Sequence, residues 1–245
     1  MARSRPPGRL DQIISAGLRV FMDKGYRRTQ MADVAQEMGV SPGTLYTYVE
    51  GKEALFHLLI DRALLERAAT APLALPVATP PAGATLARLK ERLTADARLP
   101  GLQSALARRR AADPRAELEA VVQELYALIE KTRLGITLIE RSALDLPELA
   151  RVFYAEVRRG LLDRLRRYLE ARIRTEQFRP VPDAAAAARL ILEAVAWFAM
   201  HRHRDPDPGA AIDDRSARET VVHFIVSTLV PTQTRGQRAV KETAR

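Results

Sequence analysis

The chain has 245 residues, of which 39 are lysine or arginine and 30 are aspartate or glutamate, so its formal net charge is +9. It contains no cysteine, which excludes disulfides and thiolate metal sites and favours a reducing compartment. No run approaches the ~18 apolar residues of a membrane-spanning helix, and the basic start MARSRPPGRL lacks the apolar core of a signal peptide. We therefore expect a cytoplasmic protein with no membrane partner. The positive charge suits a polyanion only in general terms, because a solvated arginine-rich helical surface has the same composition.

The chain begins with a basic arm over residues 1–8, which carries Arg3 and Arg5 beside a Pro-Pro-Gly sequence. An amphipathic helix follows, with apolar residues on one stripe at Leu10, Ile13, Ile14, Gly17, Leu18 and Phe21. If the partner is DNA, the arm either reaches an adjacent minor groove or adds only salt-dependent affinity. The sequence leaves both readings open.

Residues 29–49 read as two short helices joined by a tight turn. The first helix has apolar residues at helical spacing, namely Met31, Val34, Ala35 and Met38. Gly39 tolerates the left-handed conformation that ends such a helix, Ser41 is an N-cap candidate, and Pro42 suits the first helical position. This order predicts a helix-turn-helix, which commonly lays its second helix in the DNA major groove.

Four blocks around this motif resemble the TetR family of bacterial transcriptional regulators. In order, they are FMDKGY at 21–26, MADVA at 31–35, GVSPGTLY at 39–46 and KEALF at 52–56. Two positions depart from the family pattern. Gln30 stands where the family often has serine or threonine, which leaves Thr29 as the predicted cap of the second helix, and Val49 replaces a frequent phenylalanine.

The resemblance implies a DNA-reading surface on the second helix of the motif. Leu45 and Val49 are expected to face inward, and the residues around them to face outward. Tyr48, Lys52 and Thr29 are expected to contact phosphates, although Thr29 is equally compatible with a plain helix cap. For Tyr46 and Tyr48 we favour an outward direction, and the alternative is packing inside the small domain. The predicted DNA-binding residues are Thr29, Ser41, Pro42, Gly43, Thr44, Tyr46, Thr47, Tyr48 and Lys52.

The rest of the chain has helical periodicity and no evident β alternation. Prolines between Pro72 and Pro81 predict a linker, and further helices are expected to start near Pro114, Pro147 and Asp183. The predicted fold is all-α, with a three-helix helix-turn-helix domain joined to a larger helical bundle. The expected limits are a DNA-binding domain with its arm at 1–70, a linker at 71–84, an effector-binding and dimerisation domain at 85–230 and a flexible tail at 231–245.

By the same resemblance, the last two long helices, about 183–203 and 213–230, are expected to form a homodimer interface. Their apolar surplus at Val195, Phe198, Val221, Val222 and Ile225 favours this, and the alternative is that all of them serve the core of one protomer. The C-terminal domain is expected to hold a small-molecule effector. The candidate lining residues are Tyr126, Tyr154, Trp197 and Met200, with Arg133, Glu140 or Arg141 as a polar handle.

The predicted function is a dimeric TetR-like repressor that binds a near-palindromic DNA operator and is released by an effector. Three alternatives compete with it: an enzyme, a helical module that binds protein, and a regulator that needs no effector. Catalysis is disfavoured because there is no cysteine, Gly-rich phosphate loop or HExxH motif, and His201 and His203 are two apart and so face different sides of a helix. No cofactor or metal is expected. The residues do not separate repressor from activator.

Overall fold

The computed structural model describes residues 8–65, 74–207 and 212–232. Within them the fold is all-α, as predicted. The helices in chain order are α1 (Arg9–Arg28), α2 (Met31–Glu37), α3 (Pro42–Tyr46), α4 (Lys52–Leu65), α5 (Ala84–Asp96), α6 (Pro100–Ala107), α7 (Pro114–Ala143), α8 (Pro147–Ala150), α9 (Arg159–Arg174), α10 (Ala184–Ala199) and α11 (Asp214–Leu229). A π-helical stretch, Arg151–Arg158, joins α8 to α9, and a 3₁₀ turn, His201–Arg204, follows α10. The arm with Arg3 and Arg5, and most of the predicted tail, lie outside the described residues.

The chain forms two compact units. The first is Met1–Ala97 with Thr132–Arg159, and the second is Arg98–Lys131 with Gly160–Arg245. The division does not fall at the predicted linker, because α5 packs on α4 and on the π-helical stretch and so belongs to the first unit. How far the predicted domains fold independently stays a prediction.

Helices α1 and α4 build the core of the first unit. The rings of Phe21, Tyr26 and Phe56 contact one another, with centroids 4.9–6.1 Å apart. Gly17 lets α4 approach closely, since a Cβ at this position would lie 3.2 Å from the methyl groups of Leu59. This packing fixes α1 against α4, and α2 and α3 lie between these two helices in the sequence. We call α1 to α4 the headpiece.

Part of the predicted linker is attached to the headpiece. Residues 75–79, which we call the strap, pair with the chain just after α3. Val77 donates its N–H to the carbonyl of Tyr48 (2.8 Å) and accepts from the N–H of Glu50 (3.0 Å). The Thr79 N–H donates to the Glu50 carboxylate at 2.7 Å. The strap then leads through Gly83 into α5, so the segment that enters α5 is hydrogen-bonded to the residues just after α3.

A buried ion pair lies at the core of the second unit. Arg172 of α9 is 0% exposed and donates from Nε to Glu117 of α7 at 2.7 Å. Its other nitrogens donate to the carbonyls of Arg108 (3.2 Å) and Ala105 (2.7 Å). One guanidinium therefore ties α9 to α7, to the end of α6 and to the loop after it. The ring of Tyr168 lies against the same group, and burial raises the pKa of its phenol.

Helices α10 and α11 pack on each other within the second unit. Asp183 caps α10 as predicted, by accepting from the Ala186 N–H at 2.6 Å. Val195, Val221, Val222 and Ile225 are buried in the protomer core. The expectation that these four residues form surplus surface for a partner is therefore wrong, because α10 and α11 already bury them against their own chain. The fifth residue of that prediction, Phe198, is half-buried. The large apolar side chains that these helices do expose are Leu190 (69%), Trp197 (38%) and Phe224 (71%).

Candidate nucleic-acid interface

The turn between α2 and α3 has the geometry that the sequence predicts. Gly39 adopts φ +65°, in the left-handed region, and its N–H donates to the Gln36 carbonyl at 3.0 Å. The Val40 N–H donates to the Ala35 carbonyl, also at 3.0 Å, so the chain reverses within two residues. Ser41 is the N-cap of α3 and Pro42 is its first residue. The two helices are thus held in a helix-turn-helix.

The outer face of α3 is small, polar and uncharged. Pro42, Gly43, Tyr46 and Thr47 are exposed together with Ser41, and Thr44 is half-buried. The hydroxyls of Ser41 and Thr44 lie 3.2 Å apart, and the Thr47 hydroxyl donates to the Thr44 carbonyl at 2.7 Å. A Cβ at Gly43 would meet no closer atom than one 4.0 Å away. The backbone here is open to close approach by a groove of DNA, and Leu45 anchors the helix from behind with 0% exposure.

The structure corrects the predicted cap of α2. The N-cap is Gln30, whose side chain accepts from the Asp33 N–H, while the Asp33 carboxylate accepts from the Gln30 N–H at 2.7 Å. Lys24 donates to the same carboxylate at 2.8 Å, and this bond lowers the pKa of Asp33. Thr29 is buried, and its hydroxyl donates to the Gly25 carbonyl at 2.7 Å. Thr29 therefore completes the end of α1 and does not cap α2.

The structure also corrects the direction of Tyr48. Its side chain was expected to face outward, yet it is 3% exposed and belongs to the hydrophobic core of the first unit. The expectation was wrong because α3 ends at Tyr46, so helical spacing no longer applies two residues later. Leu75 and Val77 of the strap pack against the same core. A contact of Tyr48 with phosphate stays an untested prediction.

Lys52 begins α4, as predicted, but its ammonium is already engaged. It donates to the Arg27 carbonyl at 3.1 Å and lies 4.6 Å from the centroid of the Tyr26 ring. Burial lowers the pKa of this group, and the nearby carboxylates of Asp145 and Asp33 oppose that shift. Lys52 thus joins the end of α1 to the start of α4, and its remaining N–H donors are compatible with the predicted phosphate contact.

Sequence reasoning missed a clasp at the end of α1. Arg141 donates to the carbonyls of Met22 (3.0 Å) and Asp23 (2.6 Å), and the Asp145 carboxylate accepts from the Arg27 N–H at 2.8 Å. Gly25, at φ +77°, fits beneath this carboxylate, since a Cβ there would lie 2.9 Å from Asp145 Oδ2. The partners are more than one hundred residues apart in the chain, so no local pattern indicates the clasp. Arg141 had been weighed only as a polar handle for an effector.

The four candidate effector residues have different environments. Tyr126 is 0% exposed, donates its hydroxyl to the Phe198 carbonyl at 3.1 Å and has Arg218 over its ring. Met200 is buried, and Trp197 is partly exposed beside Phe198. Tyr154 belongs to the first unit, whereas the other three belong to the second. Their role in effector binding stays a prediction.

The residues that the structure describes offer neither a metal cluster nor a membrane-spanning helix. Among them, no group of three or more histidines and carboxylates is arranged to hold a metal ion. In the same part of the chain, no helix has both the length and the apolar character needed to cross a membrane.

Comparison with known proteins agrees with the motif. The sequence profile of bacterial regulatory proteins of the tetR family matches residues 13–59. The "Fatty acid metabolism regulator protein" of Bacillus subtilis (strain 168) is 38% identical over 53 residues, which is 22% of this chain and 26% of that protein. An uncharacterized HTH-type regulator of the same bacterium, YfiR, is 38% identical over 55 residues and is covered over 27% of its length. The chain therefore matches only about a quarter of the length of these curated relatives.

Solved structures resemble the chain over most of its length. The ketosteroid transcriptional regulator KstR2 of Mycobacterium tuberculosis has a TM-score of 0.56 at 16% identity, with 93% of this chain and 98% of that one covered. SCO3833 of Streptomyces coelicolor A3, a member of the TetR transcriptional regulator family, has a TM-score of 0.54 at 19% identity, with 94% and 96% covered. At these identities the likeness concerns the fold, an N-terminal helix-turn-helix followed by a helical C-terminal part.

Proposed function

We propose that the chain is a member of the TetR family of bacterial transcriptional regulators, and that it is a dimeric repressor which binds a near-palindromic operator and is released by a small-molecule effector. The observation that carries the proposal is the exposed, uncharged outer face of α3 in a well-formed helix-turn-helix. Its location is proposed to be the cytoplasm, where the DNA lies. Regulation rather than catalysis is its proposed role.

The outer face of α3 is suited to reading methyl groups and groove shape. It carries no arginine or asparagine, the residues that make the strongest bidentate contacts to guanine and adenine. The Pro42 ring and the Thr44 and Thr47 methyl groups can contact thymine methyls, and Tyr46, 49% exposed, offers a ring and a hydroxyl. We propose that Ser41 and Gly43 complete this surface. Lys52 supplies a phosphate contact, and Thr29 and Tyr48 support the surface from within the headpiece.

Because one headpiece makes only weak contacts to DNA bases, we propose that two headpieces bind the operator together. A dimer doubles the contacts and explains a near-palindromic operator, since operator symmetry mirrors protein symmetry. The proposed interface is the outward side of α10 and α11, where Leu190, Trp197 and Phe224 are exposed. Exposed large apolar side chains on neighbouring helices commonly mark an association surface.

Selection of duplex DNA from random sequence by the purified full chain tests the proposal. A near-palindrome is expected, and Thr44→Ala and Tyr46→Ala are expected to weaken its binding. Thr94→Ala is the matched control, because this side chain is exposed outside the headpiece. Affinity is expected to fall steeply and linearly with salt on logarithmic axes. No enriched sequence, or equal effects of variants and control, would show that the motif binds something other than DNA.

Sedimentation of the free protein tests the dimer separately. Phe224→Glu introduces a charge into the proposed interface and is expected to shift the protein toward monomer. Leu144→Glu is the control, since Leu144 is 78% exposed but lies in the first unit. A monomeric parent protein, or a dimer unaffected by Phe224→Glu, would refute the proposed interface.

A further inference from the structure

An open groove of about 260 Å³ lies within the first unit, at the side of the headpiece. One wall consists of Tyr26 of α1 with Phe56 of α4, whose rings meet edge to face at 4.9 Å. The opposite wall includes Leu86 and Leu89 of α5 and Leu149 of α8. The wall side chains are mostly apolar, and the volume is sufficient for a small ligand of about one ring with a short chain.

The charged side chains that line the groove are both acidic. They are Glu53, in the first turn of α4, and Glu148 of α8. This sign is opposite to that of the chain as a whole, which carries a net charge of +9. Glu148 is paired with Arg151 at 3.3 Å, but both side chains are more than half exposed, and such a pair is weak enough to yield to a ligand.

The uncharged polar side chains among the lining residues are the phenol of Tyr26 and the hydroxyl of Thr85, which lies 2.9 Å from Nδ1 of His57. Burial, and then the charge of Glu53, raises the pKa of this phenol, so it stays neutral at physiological pH. Lys52 lies over the same ring, yet it does not line the groove, and its ammonium donates to the Arg27 carbonyl. The groove thus combines apolar walls with two neutral hydroxyls and two carboxylates.

We infer that this groove binds a small organic cation, namely an amine with an apolar body of about one ring. The ring would replace water along Phe56, Leu86 and Leu89, and the ammonium would lie toward Glu53 and Glu148. An anionic ligand is disfavoured by the two carboxylates, and a neutral one gains nothing from them.

A ligand in this position would contact both the headpiece and the helices that follow it. Tyr26, Glu53 and Phe56 belong to α1 and α4, which flank the turn motif, whereas α5 follows the strap, which pairs with the chain just after α3. Binding would therefore favour one arrangement of these elements over another. Binding of an amine in the groove does not depend on whether the chain binds DNA. A role of the groove as an effector site does rest on the proposed function, and it assigns the effector to the class of organic cations.

Titration of the full chain, labelled at its leucine methyl groups, with phenethylamine tests the inference by NMR. Phenethyl alcohol and phenylpropionate are the neutral and anionic probes of similar shape. Phenethylamine is expected to shift the methyl signals of the leucines that line the groove, Leu86, Leu89, Leu146 and Leu149, with a dissociation constant of ~1 mM. The two other probes are expected to bind at least about fivefold more weakly.

Variants separate charge from shape. Glu53→Gln with Glu148→Gln is expected to weaken phenethylamine binding about fivefold and to abolish the preference over the alcohol. Glu91→Gln removes the same charge from an exposed position of α5 outside the groove and should leave binding unchanged. Leu86→Phe fills the groove without changing its charge and should block all three probes. The NMR spectrum of each variant shows directly whether it is folded.

Three results would overturn the inference: no shift of the groove leucines up to ~20 mM amine, equal binding of amine and alcohol, or larger shifts at leucines of the second unit such as Leu125. The DNA experiment gives an independent answer. An enriched operator without amine binding would refute the groove and leave the regulator. Amine binding without any enriched DNA sequence would support the groove as a binding site and refute the regulator.

Discussion

Replacement of Arg172 by methionine is expected to destabilise the protein strongly. The guanidinium is fully buried and donates to Glu117 and to two backbone carbonyls, so solvent does not reach it to replace those partners. Methionine keeps much of the volume but leaves Glu117, whose side chain is 12% exposed, without its counter-charge. Breaking one side of a buried ion pair costs about 3–5 kcal/mol. We therefore expect Arg172→Met to lower the free energy of unfolding by about 4 kcal/mol.

The double variant Arg172→Met with Glu117→Leu separates the cost of the unpaired Glu117 carboxylate from that of the lost hydrogen bonds to the carbonyls. It removes the stranded carboxylate, so the remaining loss is that of the bonds to the Ala105 and Arg108 carbonyls, about 1–2 kcal/mol. The double variant should thus be more stable than the single one, because replacing both members of a buried pair by apolar residues is often tolerated.

Urea unfolding at one fixed protein concentration measures these differences, since association of the chain would make stability depend on concentration. Arg174→Met, an exposed arginine on the same helix, is the control and should change the free energy of unfolding by less than about 0.5 kcal/mol. The reasoning is refuted if Arg172→Met costs less than about 1 kcal/mol, or if the double variant is no more stable than the single one.

Three further outcomes follow from the headpiece. Tyr46→Ala should weaken DNA binding with little change in stability. Tyr48→Ala should lower the free energy of unfolding by about 3 kcal/mol, because the Tyr48 side chain is in the core and that of Tyr46 is not. Equal urea midpoints of the two variants would contradict this. Gly25→Ala should lower the free energy of unfolding by about 2 kcal/mol, since alanine is strained at a φ of +77° and its Cβ would crowd the Asp145 carboxylate. Thermal unfolding measures this, and an unchanged melting temperature would show that the backbone at Gly25 relaxes. Asp33 has a pKa that its bond to Lys24 lowers, so its stabilising contribution is present above the ordinary aspartate pKa and is lost as pH falls toward the lowered value. Asp33→Asn should remove that part of the acid dependence of unfolding, and identical pH profiles would count against the assignment.

Elements marked by local chemistry could be predicted from the sequence. Gly39 and Pro42 define the turn motif because a left-handed residue and a missing N–H are requirements of single positions. Pro114 begins α7, and Asp183 caps α10, for the same kind of reason. The preferences of these residues depend on neighbours within one turn of helix, so they can be recognised in the sequence before any tertiary contact is known.

Features created by distant parts of the chain could not be predicted. Nothing in the neighbourhood of Arg172 distinguishes it from the exposed Arg174, since its burial depends on Glu117 and on the carbonyls after α6. Tyr48 is buried because α3 ends early and the chain turns inward. Helical spacing extended past the end of α3 therefore predicts an exposed Tyr48, whereas its side chain is buried.

The strap has a consequence for chimeric regulators built by exchanging headpieces. The segment that the family profile matches ends at residue 59, and a natural place to cut would be just beyond it. Such a fragment would lack Val77, so the Tyr48 carbonyl and the Glu50 N–H would lose their backbone partners, and the Glu50 carboxylate would lose Thr79. A transplant that keeps the headpiece intact, with the DNA preference proposed for it, therefore needs the residues up to Gly83, joined to the recipient at the start of α5.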